Sequence, residues 1–213
     1  MGMQFDPISI FSLIVALVLA LTLHEFAHAL MGHYLGDPTA KDQGRLTLNP
    51  LAHIDPFTTL ALPLLLILAH SPVLFGAAKP VPFNPWAVRW GKWGAALVAL
   101  AGPFTNLLLA IFFGLYLRFG PVSLATGQFL LTLMMVNLGF FVFNMIPFPP
   151  LDGSRLLYAM APQPLRNVMD TIERSGMMLL FLIMLIGYPF ISPYVYSITL
   201  ALAGLIIGPQ IPL

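Results

Sequence analysis

His24, Glu25 and His28 fall within five residues, inside the stretch LVLALTLHEFAHALMGHYLG (17–36). Charge and imidazole are expensive in hydrocarbon; insertion scales put a central acidic or basic residue at about 3 kcal/mol. Their presence in an apolar run therefore asks for a chemical reason. Four residues apart on a predicted helix, His24 and His28 share one face, one turn apart. Two imidazoles at that spacing can bind one tetrahedral zinc. Glu25 flanks the pair without being forced to ligate, where a general base stands to take a proton from zinc-bound water. H-E-x-x-H on a helix is a metalloprotease signature built on this mechanism. A lone histidine in a span is more often a packing or hydrogen-bonding residue. This chain, however, has five His and two Glu in all, and three of the seven sit together here.

A catalytic zinc needs a third protein ligand and keeps its fourth position for water. One soluble pattern places a third His six residues past the second and a Gly three past it. Those positions hold Tyr34 and Met31, and the Gly32-His33 pair is out of register. His33 reads as a helix-end residue. Another soluble pattern uses a downstream Glu. Glu173 is the sole remaining one, and its charged connection predicts a solvated side chain. Asp152 lies in FNMIPFPPLDGSRLLY, where prolines at the end of an apolar span free backbone carbonyls. Such backbone at membrane depth is tolerated only beside protein or a water-filled cavity. An Asp there is a functional candidate, or the N-cap of a helix starting at Gly153 or Ser154.

The elements that must position these groups are membrane segments. Hydrophobic residues make up 59% of the 213 and charged residues 8%, against about 25% charged in soluble domains. A net charge of +1, with no polybasic block, gives no reason to expect a nucleic-acid partner. Cysteine is absent, which excludes disulfides and thiolate metal sites. No basic stretch precedes the first span, so that span is expected to stay in the mature protein. A crossing takes about 20 apolar residues. Residues 8–31, 93–117 and 126–148 qualify. Residues 176–211 are long enough for two segments broken around Pro189 and Pro193, or for one long span. Residues 57–78 are also long enough, but Pro63, His70 and Pro72 suit a bent or re-entrant piece.

GRLTLNP (44–50) alternates polar and apolar residues and predicts a short strand, whose edge could hold an extended substrate by β-augmentation. Trp86, Trp90 and Trp93, with Arg89 and Lys92, read as an interfacial belt. The expected architecture is all-α: a single-domain polytopic bundle over 1–213, with five to six membrane segments, one re-entrant, and a short β element after the first span. Its catalytic core would cover about 8–160 and its C-terminal membrane segments 176–211.

HEFAH in the first span, AGPFTN (101–106) in a middle one and NMIPFPPLDG (144–153) in a later one resemble the site-2 protease family of intramembrane zinc metalloproteases. GRLTLNPLAHIDP and AAKPVPFNP further resemble its short bacterial branch, which lacks PDZ and CBS domains. The likeness runs from about residue 20 to about residue 160, in five stretches in order; FTTL stands where a Gly often follows the HIDP box. It implies that His24, His28 and Asp152 ligate Zn2+ and that Glu25 is the general base. Asn144 would engage substrate backbone or the oxyanion, and Asn106 would orient a substrate or a loop. His53, with Asp55, approaches the site or forms an ordinary loop pair; Lys79 marks an interface position or a substrate contact. Family members cut single-span helices within the bilayer. The implied partners are a transmembrane substrate and the lipid bilayer. The rivals are an inactive scaffold of the same fold and a zinc-binding or zinc-transport membrane protein.

If His28 and Asp152 share one ion, the ends of their spans lie on one side, and an even number of crossings separates them. The spans at 93–117 and 126–148 supply two, so 57–78 is expected to dip and return. Lys41, Arg45, Lys79, Arg89, Lys92, Arg155, Arg166 and Arg174 then share one side, with Arg118 opposite. The positive-inside rule makes that side cytoplasmic, which puts the active site of a cell-membrane protein nearer the cytoplasmic face.

Overall fold

The computed structural model describes residues 7–61, 65, 78–174 and 177–208. All regular structure among the described residues is helical. α1 is Pro7–Tyr34 and α2 a single turn, Thr39–Asp42; a 3-10 turn spans Pro50–His53 and a π-helical turn Pro56–Ala61. α3 is Lys92–Phe119, α4 Leu124–Asn144, α5 Gly153–Met160, α6 Gln163–Arg174 and α7 Met177–Ile207.

Four helices among the described residues are long and apolar enough to cross a membrane: Ile8–Tyr34, Lys92–Phe119, Leu124–Asn144 and Ile186–Ile207. Their outward faces carry Phe11, Ile14, Leu108, Phe112, Phe190 and Tyr194, all well exposed, as lipid contact requires. This is a helical membrane protein, with four described spans where five to six segments were expected. Residues 177–207 form one helix through Pro189 and Pro193, not two. Each proline removes a single N–H. Opening the helix in hydrocarbon would orphan many more backbone groups, at several kcal/mol each.

The centre of the bundle is Ala110 and Leu117 of α3, Met134 and Leu138 of α4, and Ala203 and Ile207 of α7. α1 joins it through a stripe of i, i+4 positions. Ala16 and Ala20 are fully buried, and the same stripe continues into the nearly buried His24 and His28. Small side chains there let α1 approach its neighbours closely.

Val98 lies beside His28 and Asn106 beside His24. α3 therefore runs antiparallel to α1, and the chain leaves α1 and enters α3 at the same end of the bundle. The predicted bent segment 57–78 lies for the most part outside the described residues. Its flanks are described and meet: Lys79 N–H donates to His53 O at 3.0 Å.

The strand expected over 44–50 is not formed. Local side chains take the backbone groups a ladder would need. Asn49 N–H donates to Thr47 Oγ1, Leu51 N–H to Asn49 Oδ1, and Thr47 O accepts from His53 Nε2 at 2.9 Å. Arg45 points inward and is buried. A substrate-binding strand edge at this place is therefore set aside.

Candidate metal centre

α1 brings His24 and His28 to the end of the bundle where α4 stops and α5 begins. Between those helices, residues 145–152 fold back through short turns. Gly153 makes the return feasible: a Cβ there would collide with the Met145 carbonyl. The fold-back places Asp152 beside the histidines. Asp152 occupies the N-cap of α5, yet its side chain makes no cap hydrogen bond. Instead Oδ2 lies 3.2 Å from His24 Nε2 and 3.5 Å from His28 Nε2. The two Nε2 atoms are 2.9 Å apart.

The far sides of both rings are spoken for. His28 Nδ1 lies 2.8 Å from Val98 O, which can only accept, so Nδ1 carries the proton. His24 Nδ1 lies 2.6 Å from Asn106 Oδ1. Asn106 spends its amide hydrogens on Ala20 O and Asn137 Oδ1, so its oxygen faces the ring and His24 Nδ1 is likewise the donor. Asn137 in turn donates to Leu133 O. With both protons at Nδ1, each Nε2 presents a bare lone pair. Two such lone pairs and a carboxylate oxygen converge on one point.

Three acceptors facing each other repel unless positive charge lies between them, and this donor set fits a zinc ion. Ligands at 2.0–2.1 Å in a tetrahedron stand about 3.3 Å apart. The three edges here are 2.9, 3.2 and 3.5 Å. Among the described residues, this is the one cluster of His, Asp or Glu able to hold a metal ion.

Glu25 is nearly buried, and its Oε2 accepts from Val81 N–H at 3.2 Å. Gly102 packs against both rings: a Cβ added there would stand 2.6 Å from His28 Cε1 and 2.7 Å from His24 Cε1.

The remaining candidates are placed as follows. Asn106 is wholly buried behind His24, where it meets the ring and not the open side. Asn144 is half-buried at the end of α4 and donates to Phe140 O. His53 is fully buried with Nε2 on Thr47 O, and it is not a member of the acceptor cluster. Asp55 caps the turn that follows it, accepting from Phe57 and Thr58 N–H. Lys79 is fixed by its backbone, and its charge helps lower Asp55, whose carboxyl is held down first by the Thr58 amide. Glu173, expected to be solvated, pairs with Arg155 at 3.1 Å and ties α6 to α5. Sequence reasoning missed Asn137. A polar residue in an apolar span was the available signal.

The chain is 39% identical over 193 residues to a Bacillus subtilis protein named "Putative zinc metalloprotease YwhC", a match covering 85% of this chain and 84% of the relative. It is 34% identical over 149 residues to a Mycolicibacterium smegmatis protein named "Putative zinc metalloprotease Rip2", covering 68% of this chain and 56% of that one. The Mycobacterium tuberculosis protein of the same name is 35% identical over 138 residues, covering 64% and 52%. The chain thus spans a little over half the length of the two Rip2 relatives. No protein-family model and no solved structure matches it.

Proposed function

The chain belongs to the site-2 protease family of zinc metalloproteases, and on that premise we propose that it hydrolyses peptide bonds of membrane-spanning substrates within the bilayer. The observation that carries this reading is the convergence of two bare imidazole nitrogens, with an acid beside them in an apolar helix, on the carboxylate of Asp152. His24, His28 and Asp152 hold zinc. When bound, zinc supplies Lewis acidity toward the scissile carbonyl and makes water a better nucleophile at neutral pH. Glu25 takes the proton of the attacking water and returns one to the leaving amine. Asn106 and Val98 hold the rings in the tautomer that exposes Nε2. Asn144 engages the substrate backbone or the oxyanion.

His28 lies six residues before the end of α1 and His24 ten, or about 9 and 15 Å at 1.5 Å per residue. Water must reach that depth, and the irregular segment 145–152 at the bundle end offers a way. Eight of the nine basic residues belong to the site's end of the bundle, with Arg118 at the other, beside Ile206 O. The positive-inside rule then turns the site to the cytoplasm. A helix hides its amides, so the substrate unwinds before water attacks, which is the chemistry of regulated intramembrane proteolysis.

The test is reconstitution in detergent with zinc and a membrane-helix peptide. Wild type should cleave it. Glu25→Gln should keep one zinc per chain and lose about 10²–10⁴-fold in rate. Equal cleavage by both would remove Glu25 as the base. Cleavage by neither, over a panel of helices, would favour an inactive scaffold or a zinc carrier.

A further inference from the structure

Residues 79–84, KPVPFN, form no regular structure and cross the site's end of the bundle as a strap. Pro80 and Pro82 have no N–H and favour extended backbone before them. Across 80–82, Val81 therefore carries the one amide hydrogen, and that hydrogen goes to Glu25 Oε2 at 3.2 Å. The strap is pinned on both sides of this contact. At one side, Arg45 Nη2 donates to Lys79 O, and to Pro80 O at 3.4 Å, while Lys79 N–H donates to the carbonyl of buried His53. At the other, Asn84 N–H donates to Asp37 Oδ2 at 2.7 Å, and Asp37 is itself buried, held by Thr39.

Arg45 is the unusual member. It is 6% exposed, no carboxylate pairs with it among the described residues, and its Nε finds no partner there. A buried guanidinium without a counter-charge is costly. An apolar residue of similar volume would be easier to bury if packing were all this position supplied. What Arg45 holds is the strap's carbonyls, one residue from the amide that meets Glu25.

We propose that Arg45 is a positioning residue for the general base, acting through the strap 79–84, which fixes Glu25 Oε2 with the Val81 amide and leaves Oε1 as the oxygen that handles protons. The proposal rests on the reading of Glu25 as the base. Among the described residues Arg45 bonds to Lys79 O and Pro80 O and to none of His24, His28 and Asp152, so its loss should separate turnover from zinc binding.

The experiment compares wild type, Arg45→Met and Arg45→Lys, as full chains in detergent, by three readouts. These are zinc per chain, kcat and KM on a membrane-helix peptide, and maleimide labelling of Val81→Cys placed in each background. The chain has no native cysteine to interfere. Arg45→Met should keep its zinc and its KM within about threefold. Its kcat should fall about 10–100-fold, the scale expected when a reacting group is misplaced by about 1 Å, and the thiol introduced by Val81→Cys should label several-fold faster. Arg45→Lys, which can still reach one carbonyl, should recover part of both. An unchanged kcat in Arg45→Met, or zinc lost in step with activity, would overturn the proposal. If wild type cleaves nothing, the protease reading has failed on its own. Labelling then decides: a rate that ignores Arg45 overturns the strap linkage, and a rate that follows it supports the linkage.

Discussion

Gly102→Ala adds one methyl at the most crowded place in the site. Its Cβ would lie 2.6 Å from His28 Cε1 and 2.7 Å from His24 Cε1. Carbon atoms prefer at least about 3.5 Å, so roughly 0.8–0.9 Å of separation must be found. The rings cannot swing freely, because His28 is held to Val98 O and His24 to Asn106 Oδ1. Either α1 moves off α3 or the two Nδ1 hydrogen bonds stretch. Overpacking of this kind costs about 1–3 kcal/mol of stability. The effect on function should be larger, because both routes spoil the orientation of two ligands at once. Disturbing one outer partner of a metal ligand lowers affinity about 10–100-fold, and a shift of about 1 Å at a reacting centre costs about 100-fold in rate. Gly102→Ala should therefore bind zinc at least 10-fold more weakly and cleave at least 100-fold more slowly, while remaining folded in detergent. Competition with a chelator of known affinity measures the first, peptide cleavage at saturating zinc the second and thermal unfolding the third. Gly139→Ala and Gly204→Ala, where a Cβ meets nothing within 4 Å, serve as controls: they should leave zinc affinity and cleavage unchanged and, lying inside helices, should not lower stability. Wild-type zinc affinity in Gly102→Ala would refute the close packing described for this site.

Asn106→Ala removes the acceptor for His24 Nδ1 and the donor to Asn137 Oδ1, while Ala20 O keeps its own helix bond. It should weaken zinc binding about 10–100-fold and lower stability by about 1–3 kcal/mol for each buried group left unpaired; chelator competition and denaturation read the two. Asp152→Ala should lose stoichiometric zinc by metal analysis, since two imidazoles remain where three ligands are needed. Full retention would refute Asp152 as the third ligand. Burial alone would raise the Asp37 carboxyl, but bonds from Thr39 and Asn84 hold it below its ordinary value of 3.8. A depressed folded-state pKa gives stability that is present above the unfolded value and lost as pH falls through the folded one. Asp37→Ala should therefore be less stable than wild type at neutral pH, with a gap that narrows below about pH 4; thermal unfolding across pH 2–7 measures it.

What could be read in the residues was whatever depends on spacing within one helix. His24, Glu25 and His28 lie within about one turn, so the shared face of the two histidines follows from helical geometry alone. Asp152 was harder. Spacing gave it two roles, cap or ligand, and the fold-back at 145–152 that turns it toward α1 is a tertiary event. Asn106 was noticed for its motif but expected to orient a substrate or a loop. Only the antiparallel pairing of α1 with α3 shows it behind a ring. The strand expected over 44–50 failed because alternation cannot reveal that Thr47, Asn49 and His53 satisfy that backbone locally. Arg45 was read as one residue of that strand and Asp37 drew no reading, since both meet backbone groups 34 to 47 residues away. A periodicity argument has no access to contacts of that range.

The donor set is divided between the first helix and the N-cap of α5, and 124 residues separate His28 from Asp152. At about 5–20 residues per second of synthesis, the chain grows for roughly 6–25 s with two ligands in place and the third not yet made. Two imidazoles alone hold zinc weakly, so a nascent chain carries an acid and a histidine pair without the metal that arms them. On the proposed function, cleaving power would arrive only when α3 and α4 have been laid down and residues 145–152 have turned back. Synthesis order would then act as a safety catch, keeping the protein harmless to neighbouring helices while it is being inserted among them.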